Sequence, residues 1–392
     1  MVMNPHHPPA PHGAPWSPPS ETEHLLQEAA LRGDLAGQIR VLAGAELFVG
    51  APRAEVDAEP ETVYWREHRT PAGFLVRPVL TRGMLPPWQP DWVFHHITLR
   101  YAAEFTWRDP RTLLAVNGGT PGQLLLPATP EHRAEWLRAY GEREQGRSDR
   151  FAALRHGPLH GPLAFGLGCG AHLAFRNGVP WNDVGSAYRG YTHEHEALRD
   201  SWGITDRAGW RKQLDALLDG RNSPPEPDFA LRVREGLREG SGAVPSAEEW
   251  RETAAGHAQD LGASPATVRH IEELVRRILR YESRFRADGL LPPDGRVRRT
   301  VAYDYGRAVN LTRWGLSARF CAPPEAEQAI VHAGALARAA YGSWQEYSAG
   351  YALGRVLRFD GEEYGHFHEE SVAAHRVLTE HAGSPWRNLS WR

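Results

Sequence analysis

Strand-forming signals in this chain stop at one place. Up to about residue 143, short apolar runs alternate with turn residues; beyond the polar stretch GEREQGRSDR (141–150), helical periodicity takes over. Such segregation points to an α+β N-terminal domain joined to a larger, mostly α-helical C-terminal domain. The length of 392 residues agrees, because one hydrophobic core rarely grows to that size. The boundaries expected are 21–145 for the first unit and 150–392 for the second.

In the first unit, Leu25, Leu26, Ala29, Leu35, Ile39 and Leu42 recur at helical spacing. AELFVG (45–50), TVYW (62–65), FLVRPVLT (74–81) and residues 92–99 read as strands. RTLLAVNGGTPGQLLLP (111–127) places two apolar runs around Asn117-Gly118-Gly119, where positive φ costs little. A helix follows over 130–143.

In the second unit, residues 163–176 predict a buried helix, with Gly166, Gly168 and Gly170 as sites of close packing. Thr192 and Thr205 are placed to cap two helices, the second carrying Trp210, Leu214, Leu217 and Leu218 on one face. Residues 221–262 are rich in proline, glycine and charge, and read as a loose insertion with one short helix. Ser264-Pro265 starts a strong helix whose stripe is Val268, Ile271, Val275, Ile278 and Phe285. Four more helices are expected near 301–317, 324–341, 344–357 and 362–381. Ser343 and Glu346 have capping-box spacing, and Gly350 and Gly354 would let a neighbouring helix come close.

Composition narrows the setting. Residues 1–20, dense in proline and histidine, are expected to be a disordered tail without the apolar region of a secretory signal. No apolar run reaches the length of a membrane span, and two cysteines, Cys169 and Cys321, cannot form a disulfide framework. These features predict a cytoplasmic protein. A net charge of −3 gives no global attraction to nucleic acid or anionic lipid. Lys212 is the only lysine, an arginine skew that is the trace of a GC-rich genome. The 14 tryptophans imply well-filled cores or a docking face.

Residues 21–145, through AGAELFVG, RPVLTRGMLPPW and LLAVNGGTPGQLLLP, resemble the SseB-type N-terminal domain. Residues 163–220 and 300–392 resemble the bacterial family catalogued as domain of unknown function 1266. NGVPWNDVG, DSWGITD, AYDYGRAVNLTRWG, GSWQEYSAGYALGR and SPWRNLSW carry that likeness, and the 221–262 segment departs from it. The resemblance implies a helical fold and a bacterial cytoplasmic setting. It implies no chemistry.

Reactive constellations are sparse. Each H-x-H pair, His193/His195 and His366/His368, falls on a predicted helix, where i and i+2 point apart, so no metal is expected. GLGCG (166–170) completes no nucleotide-binding glycine motif, no nucleophile elbow is present, and no cofactor is expected. Arg276, Arg280 and Arg284 form a stripe that could follow phosphates, but Glu272 and Glu273 stand one turn away, the spacing of surface ion pairs. The strongest cluster is Asp304 with Arg307, three apart on a helix among aromatic residues; Arg313 and Arg355 could join them, with Trp202, Trp344 and Trp386 as walls. Without a complete catalytic set, the expectation is a non-catalytic module that binds another protein or regulates. The alternative is an enzyme, a hydrolase or toxin-like effector, built on Asp304, Arg307 and a histidine such as His375.

Overall fold

A computed structural model describes residues 18–109, 111–143 and 151–392. Most of the expected tail and of the 141–150 stretch lies outside these residues. The N-terminal region holds a mixed sheet, and the C-terminal region is helical. No described helix is long and apolar enough to cross a membrane.

The sheet contains β1 (Leu47–Pro52), β2 (His68–Arg69), β3 (Leu75–Thr81), β4 (Trp92–Ile97), β5 (Leu113–Val116), β6 (Leu124–Pro127) and β7 (Ala187–Tyr188). Its order is β6-β5-β3-β1-β4-β7, with β2 on β3. β1 pairs antiparallel with β3 and β4, whereas β3–β5 and β4–β7 are parallel. The β5–β6 hairpin turns where expected, with Asn117 at φ 52° and Gly119 at φ 77°. TVYW does not join the sheet. Its Trp65 instead turns inward, donates from Nε1 to the Pro78 carbonyl at 2.8 Å and packs edge-on to Phe105 and Trp107. One face of the sheet is closed by the helices Leu35–Gly44, Leu99–Glu104 and Pro130–Glu142, whose Leu42, Leu99 and Trp136 are fully buried.

Because β7 is drawn from beyond residue 150, the sheet and the helical region are interlocked. Asp57 accepts the Tyr191 hydroxyl at 2.7 Å and pairs with Arg319, while Trp88 Nε1 donates to Glu327 at 2.6 Å.

The helical region is arranged around the helix Ala302–Ser317, in which every side chain except Trp314 is buried. Gly166, on the helix Gly161–Cys169, meets the helix Pro323–Ala340 at its closest point. A Cβ on Gly166 would lie 2.2 Å from the Ile330 carbonyl oxygen, so backbone would have to move. Gly166→Ala is therefore expected to destabilise the protein by about 1–3 kcal/mol, read as a lower urea midpoint. Gly350 and Gly354 serve the same purpose: a Cβ there would sit 2.6 Å from the Arg299 carbonyl and 2.9 Å from that of Thr300, respectively.

The 221–262 segment is not loose. It forms the helices Glu226–Ser241 and Ala247–Asp260, which build a second core with Pro265–Ala287. Pro225 and Pro227 lie at a helix start, where proline is tolerated, and Gly236 and Gly240 face open space. Ala230, Val233, Trp250, Ala254 and Ala258 supply the buried faces. Arg234 and Glu282, both buried, form a two-pronged ion pair at 2.9 and 2.8 Å, with Arg234 lying over Trp250.

Candidate functional site

The buried helix Ala302–Ser317 carries Asp304, Arg307, Asn310 and Arg313 at intervals of three residues. At roughly 100° per residue, each step drifts about 60° around the axis. Asp304 and Arg307 are therefore neighbours, whereas Arg313, nine residues from Asp304, emerges on the opposite face.

Asp304 is 1% exposed. Its carboxylate accepts the Ser223 hydroxyl at 2.6 Å and the backbone N–H groups of Asn222 and Ser223 at 3.2 and 3.1 Å, and pairs with Arg307. Its oxygens are thus committed to pinning the 221–225 loop and orienting one guanidinium. Arg307, so held, lies 4.1 Å over the Tyr303 ring and 5.9 Å from that of Trp202.

Arg307 borders a cavity of about 730 Å³, a size ordinary for small-molecule sites. Three more arginines line it: Arg176, Arg355 and Arg358. Glu370 pairs with both Arg355 and Arg176, the latter at 3.1 Å. Burial works against the ionised form of Glu370, yet Arg355 and Arg176 hold its carboxyl below the usual range. The remaining wall is largely aromatic, from Trp202, Tyr303, Trp314, Tyr351, Phe359 and Phe367. One carboxylate lines the cavity, that of Glu194; burial raises it against the opposing hydrogen bond from the Arg189 backbone. Trp202, Asp304, Arg307 and Arg355 come from three separated tryptophan- or arginine-bearing motifs, and the fold brings them to one place.

Residues 197–391 match the family described as "Protein of unknown function (DUF1266)". The DUF1266 region thus supplies Trp202, Asp304, Arg307, Arg355 and Arg358, while Arg176 and Glu194 come from the residues just before it. No curated protein and no solved structure matches the chain.

Three residues grouped with this cluster on sequence grounds lie elsewhere. Arg313 borders a second cavity of about 210 Å³, donating to the Pro180 carbonyl at 2.7 Å. Burial lowers its guanidinium pKa, and no carboxylate ion-pairs with it among the described residues. Trp344 and Trp386 stack on each other, 5.5 Å apart, inside the main core; their indole N–H groups bond the carbonyls of Leu389 and Gly168. The enzyme candidate's His375 is also elsewhere. It is hydrogen bonded to Ser348 at 2.8 Å, and Ser348 in turn to His172 at 2.9 Å, in a buried chain that does not line the cavity.

The two H-x-H pairs sit on the helices Tyr191–Trp202 and His366–Glu380, and three of the four histidines take separate partners. His195 bonds the Ala318 carbonyl at 2.6 Å, His366 lies 3.3 Å from Glu370, and His368 lies 2.7 Å from Asp288. Among the described residues no group of metal-ligating side chains is assembled. Cys169 and Cys321 are free and buried, and burial pushes the Cys321 thiol up to about 12.

The arginine stripe is paired along its length. Arg276 meets Glu273 at 2.7 Å, Arg280 meets Glu273 and Glu362 at 2.9 Å, and Arg284 meets Asp288 at 2.8 Å. All three arginines are exposed, so each pair contributes only about 0–1 kcal/mol. Replacing all three with glutamine is expected to shift the thermal midpoint slightly; a large fall would show that the stripe holds the second core together.

Proposed function

We propose that this chain is a non-catalytic, regulatory binding module whose main cavity receives a small anionic molecule. The observation that carries this reading is the convergence of Arg176, Arg307, Arg355 and Arg358 on one aromatic-walled cavity. Guanidinium groups held over rings, and by the buried Asp304 and the half-buried Glu370, are pre-oriented for planar, two-pronged recognition of carboxylate or phosphate. In the wider reading, the protein acts in the bacterial cytoplasm and answers to another protein. Residues 21–145, as an SseB-type unit, would present the ligand-dependent surface.

The test is titration of the full chain with inorganic phosphate, phosphate monoesters and citrate, following tryptophan fluorescence from Trp202 and Trp314. A saturable, salt-sensitive change is expected, weakened in Arg358→Gln, whose side chain is exposed and has no carboxylate partner among the described residues. No change with any anion would overturn the reading.

Glu194 favours one alternative. A carboxyl raised by burial in an arginine-lined cavity is placed to act as a general acid, the enzyme reading. Under that reading Glu194→Gln leaves ligand binding intact and stops turnover of the bound anion; under the binding reading it changes affinity alone.

A further inference from the structure

The chemistry of the cavity wall narrows the ligand beyond its being an anion, and the narrower assignment rests on the anion-binding reading. Of the four lining arginines, Arg307 is matched by Asp304, and Arg176 and Arg355 share the single carboxylate of Glu370. Arg358 reaches only the Asn222 carbonyl, at 3.3 Å. Two positive charges are left facing the cavity, or one where Glu194 is ionised. A monocarboxylate leaves part of this excess unmatched, whereas a phosphate monoester carries about two negative charges near neutral pH.

The other lining groups suit something different. The side-chain amides of Asn177, Gln213 and Asn222 border the cavity and have no hydrogen-bond partner among the described residues. Each amide presents a donor and an acceptor side by side, the pattern that reads the edge of a heterocyclic base. Flat surfaces for such a ring come from Trp202 and Trp314, whose centroids are 6.3 Å apart and inclined at 55°. A volume of about 730 Å³ admits both halves of such a molecule at once.

We propose that the cavity binds a nucleotide, with its phosphate on the arginines and its base against the tryptophans and the free amides. The experiment is calorimetric titration of the full chain with AMP, GMP, CMP and UMP, beside ribose 5-phosphate, the free nucleosides, inorganic phosphate and citrate. At least one nucleotide is expected to bind about tenfold or more tighter than ribose 5-phosphate, the advantage that contacts to one base supply, and tighter than its own nucleoside, which lacks the phosphate that the arginines hold. Asn177→Ala and Gln213→Ala, at partly exposed positions, should reduce the advantage over ribose 5-phosphate by the part that the amide hydrogen bonds supply and leave ribose 5-phosphate binding unchanged; unaltered thermal midpoints will verify that both fold. Arg358→Gln should weaken every phosphate-bearing probe together. Equal affinity for nucleotides and ribose 5-phosphate overturns the base assignment while the anion reading stands. Binding of citrate with none of the phosphates overturns the nucleotide and again spares the anion reading. Silence from every anion overturns both.

Discussion

Asp304→Ala is expected to lower the unfolding free energy by about 3–5 kcal/mol, the range for leaving a buried charge without its partner. The Arg307 guanidinium stays in place, and the Ser223 hydroxyl and two loop N–H groups lose their acceptor together. Because Arg307 keeps one edge on the cavity, water can reach it, which sets the cost toward the lower end. Replacing both residues with well-packed apolar ones should recover part of the loss, since both desolvation penalties vanish at once. Recovery stays incomplete because the 222–223 amides remain without an acceptor. A double-mutant cycle by denaturant unfolding measures this. Small, additive losses would mean that Asp304 is not structural, and would make it a candidate reacting group again.

Acid should destabilise the protein steeply between about pH 6.5 and pH 4.5. Burial lowers His375 to about 4, and His96 likewise to about 4, from an ordinary value of 6.5. Burial also holds His172 well below the usual range, with His375 adding repulsion. At pH 7 these imidazoles are neutral in the folded chain and mostly so in the unfolded one, and little is lost. As the pH drops through 6.5, the unfolded chain takes up protons that the folded chain refuses, so stability falls until about pH 4, where the folded side chains also titrate. At about 1.4 kcal/mol per pH unit, His375 alone, 6% exposed, contributes roughly 3 kcal/mol of this loss. Glu194, raised by burial, works in the opposite direction above its ordinary value of 4.5 but is a single group. Urea midpoints at pH 7, 5.5 and 4.5 test the slope, and His375→Gln should flatten it. A flat profile down to pH 4.5 would mean that these histidines are hydrated in solution.

Much of the architecture is legible in the sequence because local signals and burial agree. Val268, Ile271, Val275, Ile278 and Phe285 fill one face of the helix that starts at the Ser264 cap, and the Asn117–Gly119 turn adopts the positive φ its residues allow. Sequence and structure part where a residue type has two meanings. Proline and glycine in 221–262 suggest breaks, but Pro225 and Pro227 sit at a helix start and Gly236 and Gly240 on its open face, while Gly242 does end that helix. TVYW has strand composition, yet Trp65 is claimed by an indole hydrogen bond and an aromatic cluster. At the site, the Asp304–Arg307 pair and Trp202 are legible from spacing and motif. Arg313 falls outside it because nine residues of helix carry its side chain to the far face, a displacement that the helical period alone foretells. The same period places Arg358 beside Arg355, one turn further along the same helix. Arg176, Glu194 and the amide of Asn177 carry no local signal, because only the crossing of distant helices gathers them.

The two-residue strand β7 has a consequence out of proportion to its length. It lies along β4, opposite Phe94 and His95, on the side where the sheet would otherwise end. An uncovered strand margin is a template on which a second chain can add, and during synthesis β4 emerges roughly ninety residues before its cover. The nascent N-terminal region must therefore pass through a period with that margin open. Closing that margin waits on residues 187–188, whatever the strength of the N-terminal region's own core.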